Sequence, residues 1–260
     1  MKFVSLSSGS SGNCYYIETQ NTKLLVDAGI STKRIKNELA KLQVDIAQID
    51  AVCITHEHVD HVYGIDVLSR KYQIPIYANV LTAKRIFQNG YMKDTDKMFC
   101  FQKPFSVKDI QISSFEIWHD AVCPVGYTIE DGQTSLSILT DSGCVTEKMY
   151  EAIKNSKTVL LESNHDIQML KTGPYPYMTK QRIMSEVGHL SNNDAAEVAV
   201  RLAENGVQNI IFGHVSSTNN SYDLVYENAV GHMQSRKIDV DKDVVLGVVQ
   251  KNVISAPYIF

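Results

Sequence analysis

The sequence predicts an α/β protein built as an αβ/βα sandwich, with two mixed sheets packed together and helices outside. Two observations predict it. Strand-like apolar runs interleave with helical segments along the whole chain, and no Pro/Ser-rich linker or charge block interrupts them. The 260 residues, 44% of them hydrophobic, are enough to bury a substantial core. Residues 1–260 are therefore read as a single domain.

The N-terminal part reads as strands: Lys2–Leu6, Cys14–Glu18 and Thr22–Asp27, the last two joined by polar turn residues. Ser7–Gly12 reads SSGSSG and, lying between apolar runs, is taken as a native loop. Ser31 is a plausible N-cap for a helix from Thr32 to about Leu42, with Ile35, Leu39 and Leu42 on one face. Ala51–Thr55 reads as a buried strand. Val62–Tyr72 and Thr82–Gln88 are helix-like, with a short strand at Pro75–Tyr77 between them. Strand signals follow at Lys97–Phe101, Gln111–Trp118, Val125–Glu130 and Ser135–Leu139. Thr146–Lys154 is helical, Thr158–Leu161 a strand and Thr179–Val187 helical. Asn192–Glu204 is an amphipathic helix closed by Asn205-Gly206. Asn209–Phe212 is a short buried strand, Asp223–Lys237 a helix and Val244–Val249 a last strand.

With 25 basic and 29 acidic residues, the net charge of -4 excludes a globally basic protein held to nucleic acid by bulk charge, though not a local basic patch. No run approaches the roughly 18 apolar residues of a membrane span, so no membrane association is expected. Met1–Tyr16 lacks a long apolar stretch behind a basic start, so no signal peptide is expected. The five cysteines are scattered and form no C-x-x-C pair. That pattern predicts reduced thiols and a cytoplasmic location. No stable protein partner is inferred.

The segment that carries chemistry is Thr55–His61, THEHVDH. In extended chain His56, His58 and Asp60 project to one side, with His61 following at a neighbouring position. The cluster stands at the C-terminal end of a buried strand, where α/β proteins place ligands. Imidazole with carboxylate suits zinc, manganese or iron. Four potential ligands within six residues are too many for one open catalytic metal once distant partners join, so two divalent metal ions are the natural reading. The pattern is not the H-E-x-x-H helix motif, and no C-x-x-C follows to make a zinc deaminase. Glu57, between two ligands, is expected to point away.

H-x-H-x-D-H after an apolar strand resembles the hallmark of the metallo-β-lactamase fold hydrolases. Leu24–Gly29 (LLVDAG), His119 in WHD, Asp141 in TDSG and His214 in FGHVS follow in that family's order. The resemblance implies a metallo-β-lactamase-type sandwich. It also implies that His56, His58 and His119 hold one metal and Asp60, His61 and His214 the other, with Asp141 bridging. Two metals roughly 3.5–4 Å apart would share a water and deliver hydroxide as the nucleophile, with Asp60 counted among the catalytic residues. Asp27 and Asp120 are candidates to orient ligand histidines, and Asp27 could equally be a turn residue.

Gly188–Ala196, GHLSNNDAA, resembles the phosphodiesterase branches of the fold, above all tRNase Z. By that match His189 is a histidine outside the ligand set, and it protonates the leaving oxygen as general acid. Taken with SSGSSGN, LESNHD, YPYMTKQRI and GHVSSTNN, it makes the chain similar to the YycJ/WalJ branch, which implies a metal-dependent 5′ to 3′ exonuclease with DNA as substrate. The departures are Val215, where that branch usually has Leu, and Ser217-Thr218 before Asn219-Asn220. No ribonuclease J-type insertion fits between Asp141 and His214, and no long tRNA-binding arm is visible. Alternatives are a small-molecule cyclic phosphodiesterase of the same fold, a thioester hydrolase, or a metal-bound module without catalysis.

His165, Asn192 and Ser216 are candidate substrate contacts; a hydrogen-bonded loop explains His165 equally well. The Ser7–Asn13 loop is either an anion cradle of backbone N–H groups or a plain turn. Lys171, Lys180 and Arg182 beside Tyr175 and Tyr177 suit a nucleic-acid path or a solvated surface loop. His232 has no assigned role.

Overall fold

The computed structural model describes residues 1–260, and alternating side chains explain its layers. The first half of the chain contributes β1 (Lys2–Ser7), β2 (Cys14–Glu18), β3 (Lys23–Val26), α1 (Thr32–Lys41), β4 (Ala51–Cys53), α2 (Val59–Val62), α3 (Ile65–Tyr72), β5 (Ile76–Asn79), α4 (Val80–Gln88) and β6 (Met98–Phe101). The second contributes β7 (Phe105–Val107), β8 (Ile110–Glu116), β9 (Val125–Glu130), β10 (Ser135–Leu139), α5 (Glu147–Ile153), β11 (Thr158–Glu162), α6 (Ile167–Thr172), α7 (Tyr177–Ile183), α8 (Asn192–Glu204), β12 (Asn209–Gly213), α9 (Tyr222–Ser235), β13 (Val245–Val248) and β14 (Tyr258–Ile259).

Two seven-stranded sheets result, ordered β14-β1-β2-β3-β4-β5-β6 and β13-β12-β11-β10-β9-β8-β7. Each sheet begins with antiparallel pairs and continues with parallel ones: β3 to β6 in the first, β10 to β13 in the second. The period-two side-chain alternation of strands sorts the residues between faces. Phe3, Tyr15, Ile17, Leu24 and Val26 point inward to meet Tyr127, Ile138, Leu160 and Ile211 of the other sheet. Their neighbours Val4, Tyr16, Leu25 and Val52 point outward against Ile35 and Leu39 of α1, Ile65 and Leu68 of α3 and Ile86 of α4. Val159, Leu161, Ile210 and Phe212 likewise pack under Ala195 and Leu202 of α8 and Ala229 of α9. Each fully buried aliphatic side chain contributes roughly 1.5–3 kcal/mol, so three such cores hold the layers together. No helix is long and apolar enough to cross a membrane.

Local signals account for many element ends. Ser31 caps α1 through Arg34 N, Asn79 caps α4, Thr146 caps α5 and Ser191 caps α8. The expected Val62–Tyr72 helix is replaced by two pieces, α2 and α3, hinged at Gly64. The Gly64 N–H donates to Ala28 O, and a Cβ there would lie 2.6 Å from Ile30 O. This tertiary contact overrides the helical pattern. It also corrects the local geometry of THEHVDH: His56 and His58 lie in extended chain, but Asp60 and His61 occupy the helical turn α2. The β7 and β14 strands and the short α6 are additions that the sequence reading did not contain.

The parallel strands aim their C-terminal ends at one edge of the sandwich, and three residues just beyond them adopt left-handed backbone. Asp27 follows β3 (φ 59°), Asp141 follows β10 (φ 60°) and His214 follows β12 (φ 55°). Such residues cost of order 1–3 kcal/mol each and persist where surrounding contacts over-determine them. Between Asp27 and α1, Gly29 permits a close chain crossing, since a Cβ would stand 1.6 Å from Asp60 O. Gly29→Ala is expected to displace Asp60 and to destabilise the protein by about 1–3 kcal/mol or more. Thermal unfolding checks this, and a wild-type midpoint would show that the crossing is not as tight as described.

Candidate metal centre

Histidines from both sheets converge at this edge. His56 and His58 leave β4, and His119 follows β8. His56 Nε2 lies 3.1 Å from His58 Nδ1, which lies 3.2 Å from His119 Nε2. Beside them, His61 Nε2 lies 3.8 Å from Asp60 Oδ2 and 3.4 Å from Asp141 Oδ2, and Asp141 Oδ1 lies 3.4 Å from His214 Nε2. The structure therefore gathers His56, His58 and His119 in one group and Asp60, His61 and His214 in another. Asp141 joins His56 and His61 between them.

The donor set fits divalent cations. Asp141 Oδ2 and His214 Nε2 are buried and make no hydrogen bond. Asn13 Nδ2 stands 3.0 Å from His61 Nε2. Three imidazole nitrogens converging within hydrogen-bond distance match the donor type and close spacing that a divalent cation takes.

Carboxylates behind the histidines set their orientation. Asp27 Oδ2 accepts from His61 Nδ1 at 2.7 Å, while its carboxylate also takes the N–H and hydroxyl of Thr55. Asp27 is thus both a left-handed turn residue and the partner of His61. Because a carboxylate only accepts, His61 Nδ1 carries a proton, and Nε2 is the nitrogen turned inward. Glu162, at the end of β11 and 0% exposed, does the same for two histidines. Its Oε1 accepts from His214 Nδ1 at 2.7 Å and from His189 Nδ1 at 2.8 Å, and its Oε2 accepts from the Ser142 and Leu190 amides.

Burial alone would lower the His61 pKa, but Asp27, Asp141 and Asp60 outweigh it and push it up to about 10. Burial opposes protonation of His214 too, yet Asp141 and Glu162 raise it to about 9. Asp141 resists its own desolvation because His214, His61, His119 and His56 surround it, and it is held well below the usual carboxylate range. Glu162, desolvated but facing His189 and His214, is held down at about 2. Burial lowers His56 and His119.

Other expected residues stand elsewhere. The His189 ring lies 5.4 Å from the His119 ring and 5.2 Å from the His214 ring, with no protein partner for Nε2. His165 is buried with Nδ1 unpartnered, and it belongs to none of the metal-ligand groups. The Asn192 amide bonds Ser163 and Asn220 in a buried network. Ser216 Oγ caps a turn by accepting from the Thr218 and Asn219 amides. Asp120 does not support His119 from behind; it sits 3.4 Å from Nε2 and takes Arg182 Nε at 2.6 Å. Glu57 turns away to the Val122 amide.

The sequence reading missed Glu162, Thr55 and Asn13. A carboxylate closing an apolar strand was the available signal for Glu162, since a Glu there is buried only if paired.

Comparison with known proteins agrees with this geometry. Residues 8–113 match the metallo-beta-lactamase superfamily. The chain is 40% identical over 246 residues to the protein named Exodeoxyribonuclease WalJ of Streptococcus pneumoniae serotype 2 strain D39, covering 93% of this chain and 91% of that one. It is 38% identical over 228 residues to Exodeoxyribonuclease YycJ of Bacillus anthracis, covering 86% of each. The chain belongs to the WalJ/YycJ family of that superfamily. At the level of fold, this WalJ/YycJ member superposes on the metallo-beta-lactamase fold protein YhfI of Bacillus subtilis with a TM-score of 0.71 at 18% identity. That match spans 98% of this chain and 100% of the other. Yeast PDE1 gives 0.73 at 14% identity, spanning 97% and 98%.

A divalent metal held by His61 and His214 would have to displace the protons that they hold in the metal-free protein. Those raised pKa values stabilise the metal-free fold fully below about pH 6.5, and the contribution is lost as pH rises through about 9 and 10. The Tm difference between metal-loaded and EDTA-stripped protein should therefore widen from pH 6.5 to 9. A constant difference would remove His61 and His214 from the metal site.

Proposed function

We propose that this WalJ/YycJ-family chain is a divalent-metal-dependent exodeoxyribonuclease, a phosphodiesterase that shortens DNA from the 5′ end. Its relatives at 38–40% identity over most of both chains carry the name exodeoxyribonuclease. The observation that carries the reading is the pairing of His189 and His214 on one buried carboxylate, Glu162.

In this reading His56, His58 and His119 hold one metal ion, Asp60, His61 and His214 a second, and Asp141 lies between them. Zinc, manganese and iron all suit the donor set. Bound there, the metals would lower the pKa of a shared water and neutralise charge building on a phosphoryl oxygen. The chain's own residues do the rest. Asp27 and Glu162 fix which nitrogen of His61 and His214 faces inward. Glu162 takes the Nδ1 proton of His189, so that a protonated His189 offers its second proton from Nε2. Hydrolysis breaks the bond between phosphorus and the leaving 3′ oxygen, and His189 supplies the proton that this alkoxide needs. A positioned general acid contributes typically 10²–10⁴-fold. A thioester's thiolate leaves with far less need of such a donor, which favours the phosphodiester reading over thioester hydrolysis.

The two groups draw residues from both sheets, which supports treating residues 1–260 as one domain. Five cysteines without disulfides fit a reducing, cytoplasmic setting.

Incubating the metal-loaded protein with 5′-phosphorylated duplex DNA, RNA and cyclic nucleotides tests the substrate. Mononucleotide release from DNA ends is the expected result, and turnover of cyclic substrates alone would exclude the nuclease. His189→Ala should keep its metal content and lose roughly 10²-fold or more in kcat on DNA. The loss should be far smaller on a nitrophenyl diester, whose leaving group departs without a proton. Equal losses on both substrates would rule out proton donation by His189.

A further inference from the structure

A second cavity, of about 360 Å³, opens beside Asp60 and takes no part in the reading above. Its walls include Ser10 and Ser11 of the glycine-serine loop, Ser31 and Arg34 at the start of α1, and Tyr63 after α2. Resting on the nuclease reading, we propose that this cavity is a nucleotide subsite. It would hold a phosphate of the DNA strand against Arg34 and the Ser10–Ser11 loop, with the attached base on Tyr63, while the neighbouring phosphodiester lies at the histidines.

The loop's hydrogen bonds select which groups are free to do this. The Gly9 N–H is taken by Asn13 Oδ1, the Gly12 N–H by Gly9 O and the Asn13 N–H by Asp60 O. The Ser10 and Ser11 amides make no such bond, and both residues are exposed. Of the residues in the wall, Arg34 is the one cation, and it forms no ion pair with any carboxylate. Its Nη1 is held by Asn252 Oδ1 at 2.6 Å, and Asn252 also accepts from Ser11 Oγ at 3.4 Å, so the guanidinium and the loop are tied together. The Nη2 of Arg34 is buried and has no hydrogen-bond partner, so the guanidinium charge stands unpaired behind the loop. A guanidinium next to free, exposed amides is suited to phosphate. Asp60, the one acid in the wall, is drawn toward His61. The Tyr63 side chain lines the cavity and is 62% exposed, so its ring is open to a base, and bases stack on tyrosine without regard to sequence.

Arg34→Gln and Tyr63→Ala each remove one half of the subsite. Both are assayed as purified, metal-loaded protein on 5′-phosphorylated DNA, on 5′-hydroxyl DNA and on bis(p-nitrophenyl) phosphate, a small diester with no neighbouring nucleotide. The expected result is that the ratio of kcat/KM for DNA over the small diester falls about tenfold for each variant, mainly through KM, with the Tm unchanged. A fall confined to 5′-phosphorylated DNA assigns the pocket to the terminal phosphate; a fall on both DNAs assigns it to an internal one. An unchanged ratio in both variants, with wild-type protein active on DNA, overturns the subsite. Wild-type protein inactive on every DNA would instead overturn the nuclease reading.

Discussion

The site depends on two buried carboxylates that stand behind histidines. Asp27 and Glu162 face no solvent, and each accepts imidazole and backbone N–H donors. A buried carboxylate is costly unless every acceptor position is used, and these two meet that requirement by fixing His61 and His214 in a single tautomer. The inward nitrogens then face Asp141, itself buried with one oxygen unpartnered. What remains is a set of converging imidazole nitrogens and negative oxygens whose charge is balanced by protons in the metal-free protein and would be balanced by divalent cations in their place. The site is therefore assembled from outside inward, with the sheets positioning carboxylates, the carboxylates positioning histidines, and the histidines defining where charge is missing.

The fold makes this possible by bringing parallel strand ends to one edge. Asp27, Asp141 and His214 each turn the chain through left-handed backbone immediately after a strand. The same three residues provide the partner of His61, the carboxylate between the two groups and the His214 imidazole. Strain of this kind persists only where neighbours over-determine it. Here they do: Asp27 is bound by Thr55 and His61, and the His214 amide donates to Ser8 Oγ.

Much of this was legible in the residues, and unevenly so. THEHVDH is a local motif, so its metal-binding character is visible without any fold. His119, Asp141 and His214 are single residues 58, 80 and 153 positions beyond His61. Nothing in their immediate surroundings marks them, and only their order in a known family pointed to them. The outer faces of the helices and the inner faces of the strands were readable from period alone. The break at Gly64 was not, because it arises from the carbonyl of Ile30 in another segment. Asn13 and Thr55 were invisible for the same reason: their importance lies in hydrogen bonds to residues that the chain meets only after folding. The pairing of Asn192 with Asn220 was equally hidden, because the two amides lie 28 positions apart and meet only in the folded core.

Glu162 links the candidate metal-binding groups to His189 more tightly than any residue read from the sequence. One oxygen accepts from both His214 and His189, and the other accepts from two backbone amides. All four contacts require an acceptor. A glutamine in its place would have to present an NH₂ group to N–H donors on one side or the other, so the isosteric change is not conservative here. A shorter aspartate would lose reach to one histidine or the other. The consequence is that His214 and His189 share one charge. Two histidines that converge on the same edge are thus oriented by a single side chain, which the fold reaches by ending β11 one residue past its apolar run.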